Sequence, residues 1–114
     1  MDFKLKTVTV AENGTYSGEF TLESYSIFIG ALFPAMDNGD IGLALSVDDG
    51  DNYNPILDPS DGNDAVLCGS GDDPGWVDFS DWIRFVPQNA HYKLRFTCAS
   101  QTSGAVDMLV LMRG

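Results

Sequence analysis

The sequence predicts an all-β fold, an antiparallel β-sandwich of jelly-roll type with about eight strands. Three observations support this. Apolar and polar residues alternate through most of the chain, as in Ile41, Leu43, Leu45 and Val47 against Gly42, Ala44 and Ser46. No window long enough for a stable helix repeats at helical spacing. Asn13-Gly14, Asp49-Gly50 and Asp61-Gly62 punctuate the alternation, and such steps supply the positive φ angles that tight hairpins require.

The elements follow in order. Thr7 to Val10 alternates toward a turn at Glu12, Asn13 and Gly14, and a second strand is expected from Tyr16 to Leu22. Tyr25, Ile27, Ile29 and Ala31 then alternate with Ser24, Ser26 and Phe28. That strand becomes apolar on both faces near Phe33-Pro34, so its end belongs deep in the core. After "MDNGD" comes the run from Ile41 to Val47, whose small alternate residues suit a crowded opposite face. "NYNPIL" continues as a short strand, and Pro55, which has no N–H to donate, places it at an edge or a bulge. "AVLCG" reads as another short strand after the turn "DPSDGND". "GSGDDPG" is the longest loop. "WVDFSDWIRFVP" reads as a helical turn or corner at 78 to 82 and a strand to Val86. Tyr92, Leu94, Phe96 and Cys98 face inward in the next strand. Val106, Met108, Val110 and Met112 line one face of the last, with Leu109 and Leu111 on the other. A final strand apolar on both faces is expected to be central or covered by a partner chain.

A chain of 114 residues is one domain's length, and we treat residues 1–114 as one sandwich, with 1–6 a candidate extended N-terminal segment. The net charge is −11 and unevenly spread, since every acid except Asp2 and Asp107 lies between Lys6 and Arg84. Such a field repels phosphate backbones and anionic lipid heads, so neither nucleic acid nor membrane is an expected partner. "MDFKLKTVTV" contains no apolar run of signal-peptide length, so export is not expected. Cys68 and Cys98 lie in apolar surroundings and are expected as free buried thiols in preference to a disulfide.

The stretch "SVDDGDNYNPILDPSDGND" carries Asp48, Asp49, Asp51, Asp58, Asp61 and Asp64 and raises the question of a metal. A calcium loop of EF-hand type starting at Asp49 would place Tyr53, Asn54 and Ser60 where oxygen ligands, glycine and a closing glutamate are needed. The template fails. An irregular site from Asp48, Asp49 and Asp51 is the alternative, whereas aspartates that cap their own turns account for the pattern without a metal. We expect no metal and no cofactor. His91, the only histidine, sits at an outward position beside Lys93, and no motif for nucleophilic, redox or phosphate chemistry occurs. No catalytic residue is assigned and no enzyme is expected. Trp76, Trp82, Tyr53 and Tyr92 form a sugar-stacking platform in one reading and belong to core or subunit interface in the favoured one.

The order "FPAM", "LALSVDDGDNYNPILDPSDG", "HYKLRFTCASQTSG" and a final apolar strand resembles a family of small structural proteins encoded among the virion genes of tailed bacteriophages. The matching positions are Pro34 and Ala35, Ser46, Asp49 and Gly50, Tyr53, then Lys93, Leu94 and Arg95, and Thr102 to Gly104. The likeness spans roughly residues 30 to 114. The chain departs from the pattern in its acidic loop 69–75, in "WVDFSDW", and in the extra aspartate before Asp49-Gly50. The resemblance implies a capsid decoration (cement) protein of the virion, assembled in the host cytoplasm. It would bind the major capsid protein or another virion protein as a homo-oligomer, for which a trimer is one arrangement. A tail, collar or fibre component, or a carbohydrate-binding module, is the alternative. Within this reading "MDFKLK" is the segment expected to touch a neighbour.

Overall fold

The computed structural model describes residues 3–22, 28–37, 40–67, 74–87 and 90–113. Tyr25 and Ile27, the Asn38-Gly39 step, Cys68 and the loop 69–73 lie outside the described residues. Among the described residues seven strands form: β1 (Phe3–Val10), β2 (Phe28–Phe33), β3 (Gly42–Ser46), β4 (Asn54–Pro55), β5 (Gly75–Asp78), β6 (Lys93–Thr97) and β7 (Val106–Arg113). They build two sheets, ordered β1-β7-β2-β5 and β4-β3-β6, and every pairing is antiparallel. The protein is a β-sandwich.

The alternation read from the sequence becomes the core. Val8 and Val10, Ile29, Ala31 and Phe33, and Met108, Val110 and Met112 point inward from the first sheet. Ile41, Leu43, Leu94 and Phe96 meet them from the second. Phe96 is the hub, with its ring centroid 5.2 Å from Phe20, 5.0 Å from Phe33 and 5.5 Å from Phe79. The contacts to Phe33 and Phe79 are edge-on, the arrangement that aligns ring edge with ring face. β7 is central in its sheet, as its two apolar faces suggested, and β1 pairs with it from Phe3↔Arg113 to Val10↔Val106. Phe3 to Lys6 therefore belong to a strand.

Three sequence expectations change. The segment expected as a strand at 16–22 forms isolated bridges instead: Ser17 meets Val10 of the first sheet, while Tyr16 and Phe20 meet Thr97 and Leu94 of the second. It crosses between the sheets, which breaks a continuous ladder. No strand runs to Val86. After β5 comes a 3-10 turn at Ser80–Trp82, and Val86 N donates to Ile83 O in a further turn that buries both side chains. The three-residue spacing of Ile83 and Val86 belongs to turns. Residues 64–67 also pair singly, through Ala65 N to Ile56 O and Leu67 N to Ile41 O.

Phe96→Ala should cost about 3–5 kcal/mol of stability, because it opens a cavity shared by three other rings. Denaturant unfolding measures it, and a loss below about 1 kcal/mol, the range of a tolerated core swap, would show that Phe96 is not the hub.

Candidate interaction surface

The sandwich has two outer faces of opposite character. On the second sheet, β3 presents Gly42, Ala44 and Ser46 outward, and Ala44 is nevertheless only 3 % exposed. What covers it is Arg95, its cross-strand partner on β6. The Arg95 guanidinium lies between two rings, 4.0 Å from the Tyr16 centroid and 3.9 Å from that of Tyr53. Its Nε is shut off from solvent without a hydrogen-bond acceptor, and the two ring faces offset that cost. A larger residue at Gly42 would not fit, since a Cβ there would come within 2.7 Å of Thr97 Oγ1.

Beside the stack, Glu19 accepts from the Tyr53 hydroxyl at 2.6 Å and from Lys93 Nζ at 3.2 Å, and Lys93 also reaches Asp49 at 3.3 Å. The Tyr53 bond, then Lys93, lower the Glu19 pKa, while burial and then Glu19 push the Tyr53 hydroxyl up. This face satisfies its own charges.

The aspartate-rich stretch is built as turns. Asp49 at φ 64° and Gly50 at φ 92° form the left-handed pair, and Ser46 Oγ accepts from Gly50 N. Asp48 accepts from the Asn52 side chain at 2.8 Å, from the Ser46 hydroxyl at 2.7 Å and from Asn52 N at 2.9 Å. These bonds hold its carboxyl at about 2, well below an ordinary aspartate. Asp58 accepts from the Ser60 backbone and hydroxyl, and Asp61 from Asn63 N. The carboxylates serve the local backbone. Among the described residues no three His, Cys, Asp or Glu side chains gather as a metal-binding group.

On the first sheet the outer face is apolar at its middle, with Asp107, Asp78 and Arg113 at its margins. Register places Thr7, Leu109, Leu32 and Trp76 in one row across β1, β7, β2 and β5, with Leu5 and Leu111 in the next. Trp76 is 56 % exposed, Leu5 49 % and Phe3 66 %. A shallow groove of about 360 Å³ runs here, lined by Thr7, Leu32, Pro34, Pro74, Asp107 and Leu109. The second sheet's face carries the Lys93 ion pairs with Glu19 and Asp49.

The other candidates disperse. Trp76 and Tyr53 lie on outer faces of different sheets, Tyr53 is engaged by Arg95, and Trp82 and Tyr92 pack partly against the core. No sugar platform unites them. His91 is exposed, with Nδ1 4.0 Å from Asp49. Cys98 is a free thiol, half-buried, and burial pushes its pKa up. The Arg95 stack escaped sequence reasoning, and the only signal for it was an arginine opposite an alanine on an outward row. Among the described residues no helix is long and apolar enough to cross a membrane.

No protein-family model and no curated protein sequence matches the chain. Among solved structures, it is similar to the SPBc2 prophage-derived protein YomS. The TM-score is 0.54 at 15 % identity, covering 98 % of this chain and 95 % of that one. The likeness is one of fold, end to end.

Two expectations test the turn assignment. Asp48 is more acidic folded than unfolded, so its stabilisation is complete above about 3.8 and disappears as pH falls toward about 2. The melting midpoint should drop across that window, and Asp48→Asn should lower the midpoint at neutral pH and flatten the drop. Calcium should leave the midpoint where a chelator leaves it, since only a ligand of the folded state raises it; an upward shift would restore the metal.

Proposed function

We propose that the chain is a non-enzymatic structural protein of a tailed-phage particle, in its most specific form a capsid decoration protein. It would sit on the outer shell with the first sheet's outer face against the major capsid protein or another virion protein. The observation that carries this reading is the asymmetry of the two faces. Sheet faces that end in water are polar in antiparallel sandwiches, and an uncovered apolar face marks a binding surface. The second sheet follows the water rule through Arg95, Glu19 and Lys93, whereas the middle of the first presents Leu5, Leu32, Leu109, Leu111 and Trp76.

The end-to-end likeness to a prophage-derived protein supports a phage origin. It does not choose between capsid and tail, collar or fibre. Decoration is favoured because a flat apolar sheet face fits a broad shell surface, whereas a sugar-binding tip needs exposed rings in one place. The acidic field of the remaining surface would keep loaded particles apart in solution.

The experiment is occupancy on purified particles. Protein added to shells lacking it should bind, and mass spectrometry of gradient-purified phage should find it at many copies per particle. Leu109→Ser should reduce shell affinity about tenfold or more, because it removes about 1.5–3 kcal/mol of apolar burial at the centre of the contact. Undiminished occupancy in that variant would overturn the assignment of this face. Finding the protein in tail fractions alone would overturn the capsid role.

A further inference from the structure

We propose that the side of the sandwich between β4 and the turn at 83–86 is a docking crevice for a protein segment that carries a large apolar side chain flanked by lysine or arginine. The site is separate from the first sheet's outer face, and the inference stands whatever that face binds.

Three of the large hydrophobic side chains that the fold leaves exposed converge here: Val47 is 62 % exposed, Leu57 50 % and Phe85 65 %. With Leu45, Pro55 and Ile56 they line a crevice of about 260 Å³, room for one bulky side chain. β4 is an edge strand of the second sheet, and the 83–86 turn follows β5, an edge strand of the first. The crevice therefore opens between the two sheets.

Local structure dictates this display. Leu43 and Leu45 form the core-facing row of β3 opposite Phe96 and Leu94, and Val47 continues the row one step past the end of the strand. Leu57 follows Ile56, whose side chain is buried and whose N–H donates to Leu43 O. Phe85 lies between Ile83 and Val86, which are buried and joined by Val86 N to Ile83 O at 2.9 Å, so the turn that buries them holds Phe85 outward.

The edge beside the crevice is blunted against backbone pairing. Ile56 N faces β3, so position 55 would turn its N–H away from the sheet, and Pro55 has none. This favours an inserted side chain over an added strand.

Charge selects the occupant. Residues 46–67 and 74–87, which bound the crevice, contain eight aspartates and one basic residue, Arg84. Asp48 and Asp58 adjoin Val47 and Leu57 in the chain, and a neighbouring hollow is lined by Asp58, Asp81, Trp82 and Arg84. Arg84 itself lies 3.8 Å from Asp81. Two copies docked patch to patch would bring these carboxylates together, and nucleic acid would meet the same repulsion. A basic segment is instead attracted on approach, and its apolar anchor is buried on contact. Val47, Leu57 and Phe85 supply the dry centre of such a contact, and the aspartates supply its polar rim.

Fluorescence anisotropy with labelled hexapeptides tests the proposal on the whole chain. Each peptide has a central phenylalanine or leucine and flanks of lysine, glutamate or serine. Only the lysine-flanked peptides should bind saturably, and serine in place of their central residue should abolish binding. Phe85→Ser and, separately, Val47→Ser should each weaken binding about tenfold or more, as removal of a buried anchor does, while circular dichroism stays unchanged. Trp76→Ser, on the first sheet's outer face, should bind like the wild type. Equal affinity of wild type and both crevice variants would mean attraction by charge alone and overturn the inference. Failure of every peptide to bind, or loss of binding in Trp76→Ser alone, would overturn it too. So would a wild-type dimer in light scattering that Phe85→Ser dissociates, since the crevice would then belong to a second copy. Should a variant unfold, amide shifts in the wild type on adding a lysine-flanked peptide decide. Shifts at Val47, Leu57 and Phe85 support the crevice, and shifts confined elsewhere overturn it.

Discussion

The crossing segment from Tyr16 to Phe20 is the constraint on which the rest of the sandwich depends. Its backbone ties β1 to β6, and Ser17 joins the two sheets at a buried point. The Ser17 hydroxyl accepts from Phe96 N at 3.0 Å and donates to Gly18 O at 2.8 Å. Three residues further along, Phe20 exchanges both backbone bonds with Leu94 and sends its ring against Phe96 and Phe79. A continuous hairpin on β1 would have widened the first sheet and left the second without a cover on β6. By leaving the ladder after Gly18, the chain closes one edge of the second sheet, seals the core end and positions Tyr16 to stack on Arg95.

The distribution of charge follows from that geometry. The acids that make the sequence conspicuous are concentrated in turns whose backbones they hold, so their negative field surrounds the second sheet and its loops. Arg95 and Lys93 are drawn into the same region and neutralised there by rings and carboxylates. The first sheet's outer face keeps its charges at the margins, at Asp107, Asp78 and Arg113, and its middle is leucines and a tryptophan because β7 beneath is apolar on both sides there. Two surfaces of one small fold thus differ through the composition of three central strands.

Much of the fold was legible in the sequence, because period-two alternation and Asp-Gly steps report on backbone directly. β3, β6 and β7 appear where Leu43, Leu94 and Val110 place them, and Pro55 marks an edge strand as its missing N–H requires. The segment at 16–22 was legible as extended but not as a crossing, since a bridge to a distant strand leaves the local alternation unchanged. Ile83 and Val86 misled because the apolar run "WIRFVP" suggests a strand, while their three-residue spacing, which buries both on one side, belongs to turns. The candidate surface was partly visible in Leu109 and Leu111. The Arg95 stack was not, because cation and rings from three separate segments meet only after folding. The aspartates gave the clearest local signal, and their capping role needed no tertiary information.

Gln101 carries a consequence for how the protein can vary. Although it is polar, it is only 1 % exposed, and it serves three loops together. Its carbonyl accepts from Asn13 N, its side-chain oxygen accepts from Asp37 N, and its amide nitrogen donates to Ala99 O. Asp37 in turn holds the Ser103 backbone and hydroxyl. Loops wired to one amide must evolve as a set, since a change of length in any of them strands the others' polar groups in the interior. The Asp58–Asn63 turn has no such tie, being closed by its own bonds, with open space around Gly62. Insertions, tags or displayed peptides belong in that turn, and the lineage of this fold should show its length differences there.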